Sequence, residues 1–228
     1  MLDVIYKKEY FDWWEKGIAD RTNHTLKGIQ DAWIVSLFSS EQAIKIAEIG
    51  GRNSRVLNRF KEQNECWNID KFEGVGGGPR EMKEMSGIKI VRSYIGDFDP
   101  NIPENYFDVI FSISVVEHVP SNNIIQFFAD CHRLLKPGGI MAHAIDAYVR
   151  DIPTPHRLEI VEQYIEAIDS QGFEWFLPPK NDKNFTFKSE FASNSDLTMA
   201  VWNHIAPTLR TIREESQSIS LKLIAHKK

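Results

Sequence analysis

The sequence predicts an α/β protein with a mostly parallel sheet that helices cover on both faces. From Ile44 to the end of the 228-residue chain, short apolar runs alternate with longer amphipathic stretches, as strands and helices do in such proteins. The run Phe107 to Ile113 is apolar almost throughout, which is typical of a central strand buried on both sides. The strand candidates, in chain order, are Ile44–Ile49, Cys66–Ile69, Ile88–Tyr94, Phe107–Ile113, Ile140–Ile145, Phe173–Leu177 and Ser218–Ala225.

Three stretches between these runs have helical spacing. Arg55–Phe60 and Leu158–Ile168 are two of them. The third has one apolar face with i, i+3, i+4 spacing, formed by Ile124, Phe127, Phe128, Cys131, Leu134 and Leu135. Pro137, Gly138 and Gly139 follow it and are expected to end the helix.

Two segments do not follow the alternation. Residues 1–43 are rich in aromatic side chains and are predicted to form an N-terminal helical cap. Residues 179–217 separate the last two strands and are predicted to be an insertion, with short helices at Leu197–Ile205 and Leu209–Glu215. We therefore expect a cap at 1–43 and one main domain at 44–228.

Composition limits the classes of function. The 27 Lys and Arg residues against 32 Asp and Glu residues give a formal net charge of −5, which argues against nucleic acid or an anionic membrane as the main partner. Cys66 and Cys131 are far apart and form no Cys/His cluster, so neither a disulfide scaffold nor a metal site is expected. The first residues do not resemble a secretory signal, and the expected location is the cytoplasm.

Acidic residues and glycines lie where successive strands end, which is the edge at which open α/β sheets bind ligands. Gly50 and Gly51 end the first strand and allow a tight turn, and Glu48 just before them could attract a cationic ammonium or sulfonium group. Asp70 ends the second strand, where an acid can bind both hydroxyls of a ribose. Gly96-Asp97-Phe98 follows the third strand and offers a carboxylate and an aromatic face to an adenine.

The order of these motifs, together with Val115-Val116-Glu117-His118-Val119 and Arg133-Leu134-Leu135-Lys136-Pro137-Gly138-Gly139, resembles the class I S-adenosylmethionine (SAM)-dependent methyltransferases. The resemblance covers about Ile44 to Asp146. It implies a Rossmann-like, doubly wound, mostly parallel seven-stranded sheet with an antiparallel last strand, SAM as cofactor, and N-terminal helices above the active site.

The resemblance also implies roles for individual residues. Glu48 and Gly50 would hold the methionine end of SAM, Gly51 would shape the turn, and Asp70 would bind the ribose. The remaining cofactor contacts would come from Asp97 and Phe98 at the adenine and from Ser112 to Val115, including Ser114, beneath the sulfonium. Two glycines of the family pattern are replaced by Arg52 and Ser54, and we expect Ser54 to cap the following helix.

Methyl transfer to a hydroxyl needs a group that accepts the proton. His118, just after the fourth strand, is the first candidate for this base or for a group that orients the substrate, and a purely structural role stays open. Asp146, at the end of the fifth strand, is the second pocket candidate. His143 is three residues earlier, so strand alternation places it on the opposite face, where it is expected to be packed.

The expected activity is methylation of an oxygen of a small polar or sugar-like molecule. N-methylation of an amino sugar or peptide amine, and a catalytically silent SAM-binding protein, are the alternatives within this resemblance. An NAD-dependent dehydrogenase would share the sheet and Asp70, but Gly50-Gly51-Arg52-Asn53-Ser54-Arg55 lacks the third glycine of its phosphate-binding turn. The sequence leaves a homodimer open.

Overall fold

The computed structural model describes residues 1–23, 25–74, 80–81, 84–149, 155–179 and 217–228. For residues 149, 155–159 and 217 it describes the backbone alone. The predicted insertion, with its two helix candidates, lies outside the described residues except at 179 and 217.

The described chain alternates strands and helices after an N-terminal strand and two helices. The strands are β1 Leu2–Val4, β2 Lys45–Ile49, β3 Glu65–Ile69, β4 Ile88–Val91, β5 Phe107–Ile113, β6 Leu135–Val149, β7 Phe173–Trp175 and β8 Gln217–Lys227. The helices are α1 Lys7–Glu15, α2 Leu26–Phe38, α3 Leu57–Phe60, α4 Ile124–Leu134 and α5 Pro155–Ser170.

All eight strands belong to one sheet. Its order is β4-β3-β2-β5-β6-β8, and β1 and β7 both pair with the outer edge of β8. The pairs from β4 to β6 are parallel, whereas β8 is antiparallel to β6, β1 and β7. The chain builds outward from β2 to β4 and then returns to β5 on the other side of β2. The carboxyl ends of β2 and β5 therefore form the switch point at which such sheets bind ligands.

The predicted fold is confirmed, because each predicted strand is present and the last one is antiparallel. Several strand bounds differ from the prediction by two residues or more, among them the carboxyl ends of β4 and β6. β4 ends at Val91 instead of Tyr94, whose side chain is exposed. β6 extends to Val149 because β8 pairs with it along its whole second half, so Asp146 lies within the strand and not at its end.

Apolar side chains form a separate core on each face of the sheet. On one face, α4 and α5 contribute Phe127, Phe128, Leu134, Tyr164 and Ile168, which pack with Ile110, Met141 and Ile145. On the other face, α2 and α3 contribute Trp33, Ile34, Phe38 and Leu57, which pack with Ile46, Val109 and Ala142. Residues of odd number on β6 face α4, and those of even number face α2.

The N-terminal segment contains the helices α1 and α2 and also a strand, β1, which the sequence analysis did not predict. Leu2 pairs with Leu223 and Val4 with Leu221, which adds β1 to the sheet edge. Buried Lys222 in β8 donates to both carboxylate oxygens of Glu9 in α1, at 2.7 Å each, and so ties the first helix to the last strand. A strand of three residues is too short to show an alternation of apolar and polar side chains, so β1 was not predicted.

Candidate active site

The turn after β2 is built from glycines that no side chain could replace without movement. Gly50 has a φ of +67°, and a Cβ there would lie 2.7 Å from Cγ2 of Val115. A Cβ on Gly51 would lie 2.7 Å from the Glu48 carboxylate carbon and 2.8 Å from Oδ1 of Asn68. Glycine is therefore needed at both positions, because the side chains of Val115, Glu48 and Asn68 pack directly against the backbone of the turn.

The backbone keeps a glycine-like conformation at the two positions where the family pattern has glycines. Arg52 has a φ of +47° and Ser54 a φ of +44°. Such angles cost an L-residue about 1–2 kcal/mol each. Buried Asn68 holds the turn, because its Nδ2 donates to the Arg52 carbonyl at 3.1 Å and its Oδ1 accepts from the Gly51 N–H at 3.1 Å. Ser54 donates its hydroxyl hydrogen to Glu48, and α3 begins after Val56 without a side-chain cap, so the predicted cap is wrong.

Glu48 is a buried carboxyl group at the carboxyl end of β2. Burial raises its pKa to about 8, while the Ser54 hydroxyl acts in the opposite direction. Asp31 also raises this pKa and Arg55 lowers it, but these two side chains largely neutralise each other through an ion pair with N–O distances of 2.6 and 2.9 Å. The site therefore has a proton-binding group that a cationic ligand would convert to a carboxylate.

Asp70 follows β3, directly beside the turn. Its carboxylate accepts from the Phe72 N–H at 2.8 Å. Burial raises its pKa, and hydrogen bonds from the Phe72 and Arg52 backbone lower it. The hydrogen bond from the Arg52 backbone joins the Asp70 carboxylate to the glycine turn. Glu48 and Asp70 thus lie at adjoining strand ends, as the sequence predicted for them.

Asp97 and Phe98 are the most exposed of the predicted cofactor residues. The Asp97 side chain is 60% exposed, with Lys71 Nζ 4.0 Å away, and Phe98 is 43% exposed. Their turn is held from below by Asp130 of α4, a fully buried carboxylate that accepts from the N–H groups of Gly96 at 2.7 Å and Phe98 at 3.2 Å. The other oxygen of Asp130 pairs with Arg133 at 2.9 Å.

Asp146 is the centre of a second polar cluster, within β6 and just beyond the carboxyl end of β5. Its Oδ1 accepts from Gln30 Nε2 at 2.7 Å and from Ser114 Oγ at 2.6 Å, and Lys27 Nζ lies 3.6 Å from its Oδ2. Gln30 is fully buried and also donates to Ser220. The sequence analysis missed Lys27 and Gln30, because only the position of α2 places them against β6.

The segment Ser112 to Val115 joins the two clusters. Ser112 pairs with Ile49 in the sheet register, and Val115 contacts Gly50. Ser114 has a φ of +54° and donates its backbone N–H to the Ala144 carbonyl at 2.8 Å. The predicted cofactor turn and the Asp146 cluster are therefore neighbours at the switch point.

Glu117 and His118, which follow this segment closely, have opposite environments. The side chain of His118, the first predicted base, is exposed at the rim. In Glu117 both carboxylate oxygens are buried, and neither has a hydrogen-bond partner within the described part of the chain. The sequence analysis used Glu117 only as part of a motif and assigned it no role.

His143 lies on the opposite face from Asp146, as strand alternation predicted. Its Nδ1 is joined to Ser112 Oγ by a 2.7 Å hydrogen bond, and its ring packs against Phe127 and Phe128. Burial lowers its pKa to about 3. It is a neutral core histidine beneath α4.

Neither a metal cluster nor a membrane-spanning helix is found in the regions that the structure describes. No three His, Cys, Asp or Glu side chains there lie together as metal ligands would. None of the helices formed by these residues has the length and apolar character needed to cross a membrane.

The sheet has the Rossmann-like topology of the class I SAM-dependent methyltransferases, and the glycine turn and the acids lie at its successive strand ends. Residues 46–143 match the family described as the methyltransferase domain. This match, over fewer than half of the residues, and the shared fold support a SAM-dependent methyltransferase with SAM as cofactor. The residues fit SAM, because Gly50 and Gly51 form a tight turn at the carboxyl end of β2, and the buried carboxyl group of Glu48 beside them has no ion pair within the described residues.

Solved methyltransferase structures share this fold at low sequence identity. A proposed sarcosine dimethylglycine methyltransferase from Galdieria sulphuraria has a TM-score of 0.56 and 13% identity, over 97% of this chain and 98% of that one. Phosphoethanolamine N-methyltransferase 2 from Haemonchus contortus has a TM-score of 0.52 and 17% identity, over 87% of this chain and 52% of that one. Geranyl diphosphate C-methyltransferase from Streptomyces coelicolor A3(2) has a TM-score of 0.52 and 10% identity, over 89% of this chain and 80% of that one. No curated protein matches the sequence.

Proposed function

We propose that the chain methylates a hydroxyl oxygen of a small, polar, sugar-like molecule. The observation that carries this proposal is the Asp146 cluster, which places hydrogen-bond acceptors and donors side by side at the switch point. Asp146 supplies carboxylate oxygens and Lys27 supplies N–H donors beside them, while buried Gln30 holds Asp146 in place. A molecule with several hydroxyl groups needs such an alternation, because every hydroxyl both donates and accepts.

The cofactor, when bound, supplies an electrophilic methyl group on a sulfonium. We propose that Glu48 pairs with its ammonium group while Gly50 and Gly51 allow close approach of the methionine part. Asp70 would accept hydrogen bonds from the ribose, and Asp97 and Phe98 would contact the adenine from the exposed turn. Ser114, between the two clusters, would lie beneath the sulfonium.

Asp146 and His118 would act on the acceptor. The carboxylate of Asp146 is fixed by Gln30 and Ser114, so it can orient an acceptor hydroxyl without a change of its own conformation. His118 is exposed at the rim and would contact the outer part of the acceptor. The main contribution of these residues is alignment of the hydroxyl with the methyl group and exclusion of water.

Methylation of an amine nitrogen is the second candidate. It is favoured by the charge of the acceptor region, where Glu117 and Asp146 bring two carboxyl groups against the single ammonium of Lys27. Two of the similar structures carry the names of enzymes for small amines, and a third carries the name of a carbon methyltransferase. The shared fold therefore does not select the acceptor atom.

Methyl transfer to paired acceptors tests the proposal. The purified protein is incubated with radiolabelled SAM and either methyl glucoside, which has only hydroxyl groups, or glucosamine, and the products are separated by mass. We expect O-methyl products from both and a loss of about 10- to 100-fold in turnover for Asp146→Asn, with Glu62→Gln, an exposed glutamate, as the matched control. Transfer to the glucosamine nitrogen alone would replace this proposal with the second candidate.

The other parts of the sequence prediction are retained as proposals. They are a cytoplasmic location, a small-molecule substrate in place of nucleic acid, and the division into a cap at 1–43 and a main domain at 44–228. A homodimer stays open.

A further inference from the structure

Glu117 has an unusual position for a carboxyl group that serves only the fold. It belongs to a 3-10 turn, Val116–His118, which begins three residues after β5 ends. Val115 contacts the glycine turn of the cofactor half, and Asp146 centres the acceptor half. Glu117 is thus at the junction of the two halves, where a methyl group and its acceptor would meet.

The side-chain carboxylate of Glu117 is buried and lacks hydrogen-bond partners among the described residues. Both oxygens are shielded from solvent, and within the described residues neither makes a hydrogen bond, although the backbone N–H groups of Glu117 and Asp146 are near. A buried carboxyl group without a hydrogen-bond partner lowers the stability of the fold. A role towards a ligand explains why such a group is present.

The charged and titratable groups around Glu117 come from three elements. Asp146 of β6 disfavours a second negative charge, and Lys27 of α2 favours it. Burial raises the pKa of the Tyr164 phenol of α5, and the Glu117 charge raises it further, so Tyr164 also acts on Glu117 electrostatically. Burial is the largest effect and raises the pKa of Glu117 to about 8. The group can therefore gain or lose a proton near neutral pH.

The neighbouring candidates for a base are less suitable. Asp146 already accepts two short hydrogen bonds on one oxygen, from Gln30 and Ser114, with Lys27 near the other. His118 is exposed to water, where it cannot be held against a buried hydroxyl. His143 lies beneath α4 on the other face of the sheet.

We propose that Glu117 is the proton acceptor of the reaction, an assignment that rests on the proposed O-methylation. As the acceptor oxygen forms its bond to the methyl carbon, the carbon–sulfur bond of the donor breaks and its electron pair stays on sulfur. The hydroxyl proton passes to a carboxylate oxygen of Glu117, so the charge lost at the sulfonium and the charge lost at the carboxylate balance. Asp146, which Gln30 holds in place, orients the hydroxyl while this proton moves.

The first test measures the carboxyl group directly, without turnover. Carbon NMR of protein labelled at glutamate side-chain carboxyls, saturated with S-adenosylhomocysteine, identifies the Glu117 signal by its loss in Glu117→Gln. We expect this signal to titrate between about pH 7 and pH 9. A midpoint below about pH 6 would overturn the assignment.

The second test is kinetic and uses methyl glucoside as acceptor. We expect Glu117→Gln to lower kcat by about 100-fold or more with little change in S-adenosylhomocysteine affinity, and Glu117→Asp to recover part of the loss with the pH dependence retained. His118→Asn should raise the KM for the acceptor and leave the pH profile of kcat in place. Full activity of Glu117→Gln would refute Glu117 as the acceptor of the proton. If the wild-type protein transfers no methyl group to any hydroxyl, the proposed function fails instead, and the Glu117 titration reports separately on the carboxyl group.

Discussion

Cofactor affinity should depend on pH through Glu48. Burial raises the pKa of this carboxyl group to about 8, so it is mostly protonated at neutral pH in the free protein. A ligand ammonium group pairs with the ionised form. Binding of S-adenosylhomocysteine should therefore release a proton, and affinity should rise as the pH rises towards 8. Affinity rises with pH because Glu48, with a pKa of about 8, is mostly uncharged below pH 8 and its carboxylate form becomes more abundant as the pH increases.

The size of the effect follows from the ionised fraction. With a pKa of about 8, Glu48 is about 1% ionised at pH 6 and about half ionised at pH 8. If only the carboxylate form pairs with the ligand, apparent affinity changes by about 50-fold across this interval. Close to one proton should be released for each ligand bound near pH 6.5.

Titration calorimetry in two buffers with different ionisation enthalpies measures both quantities. We expect the apparent enthalpy to differ between phosphate and Tris near pH 7, and the dissociation constant to fall steadily up to pH 8. Glu48→Gln is the control, since it keeps an acceptor for Ser54 but cannot ionise, and it should bind weakly with no dependence on buffer. A dissociation constant that stays within about threefold over this range in the wild type would refute the reasoning.

Two further changes test how the cofactor turns are held. Asp130→Ala should lower the free energy of unfolding by about 3–5 kcal/mol in urea denaturation, because it leaves Arg133 without its buried carboxylate, and it should weaken S-adenosylhomocysteine binding by freeing residues 96–98. Asp130→Asn keeps the shape and should cost less; an unchanged midpoint for Asp130→Ala would contradict this. Arg52→Gly should leave stability unchanged or raise it by up to about 1 kcal/mol, since it removes left-handed strain, whereas a loss above about 1 kcal/mol would show that the Arg52 side chain stabilises the turn.

The strongest patterns in the sequence gave the most accurate elements. The apolar run of β5 and the helical face of α4 were predicted almost to the residue, because burial on both sides and a regular i, i+3, i+4 spacing leave few alternatives. β1 was missed because three residues show no period. The length of β6 could not be inferred from its own residues, since pairing with β8 determines it.

The cofactor acids were found because they follow strand ends, which the chain order reveals. Glu48 and Asp70 belong to neighbouring strands, so a correct strand assignment is enough to bring them together. Asp130 and Gln30 were missed, because what they contact depends on helix packing. Both carried a signal that could have been used: Asp130 lies on the same face of α4 as Phe127 and Leu134, and Gln30 is a polar residue among apolar ones in α2.

Helix α2 links the two halves of the candidate site. Gln30 and Lys27 contact Asp146 on the acceptor side, while the next residue, Asp31, pairs with Arg55 beside Glu48 on the cofactor side. The cofactor acids come from β2 and β3, so their positions are set by the sheet and are independent of this helix. The acceptor side is different, because Gln30 of α2 donates to Asp146 and Lys27 of α2 lies beside it, together with Ser114 after β5. We therefore expect changes in α2 to alter acceptor choice while the cofactor site stays intact.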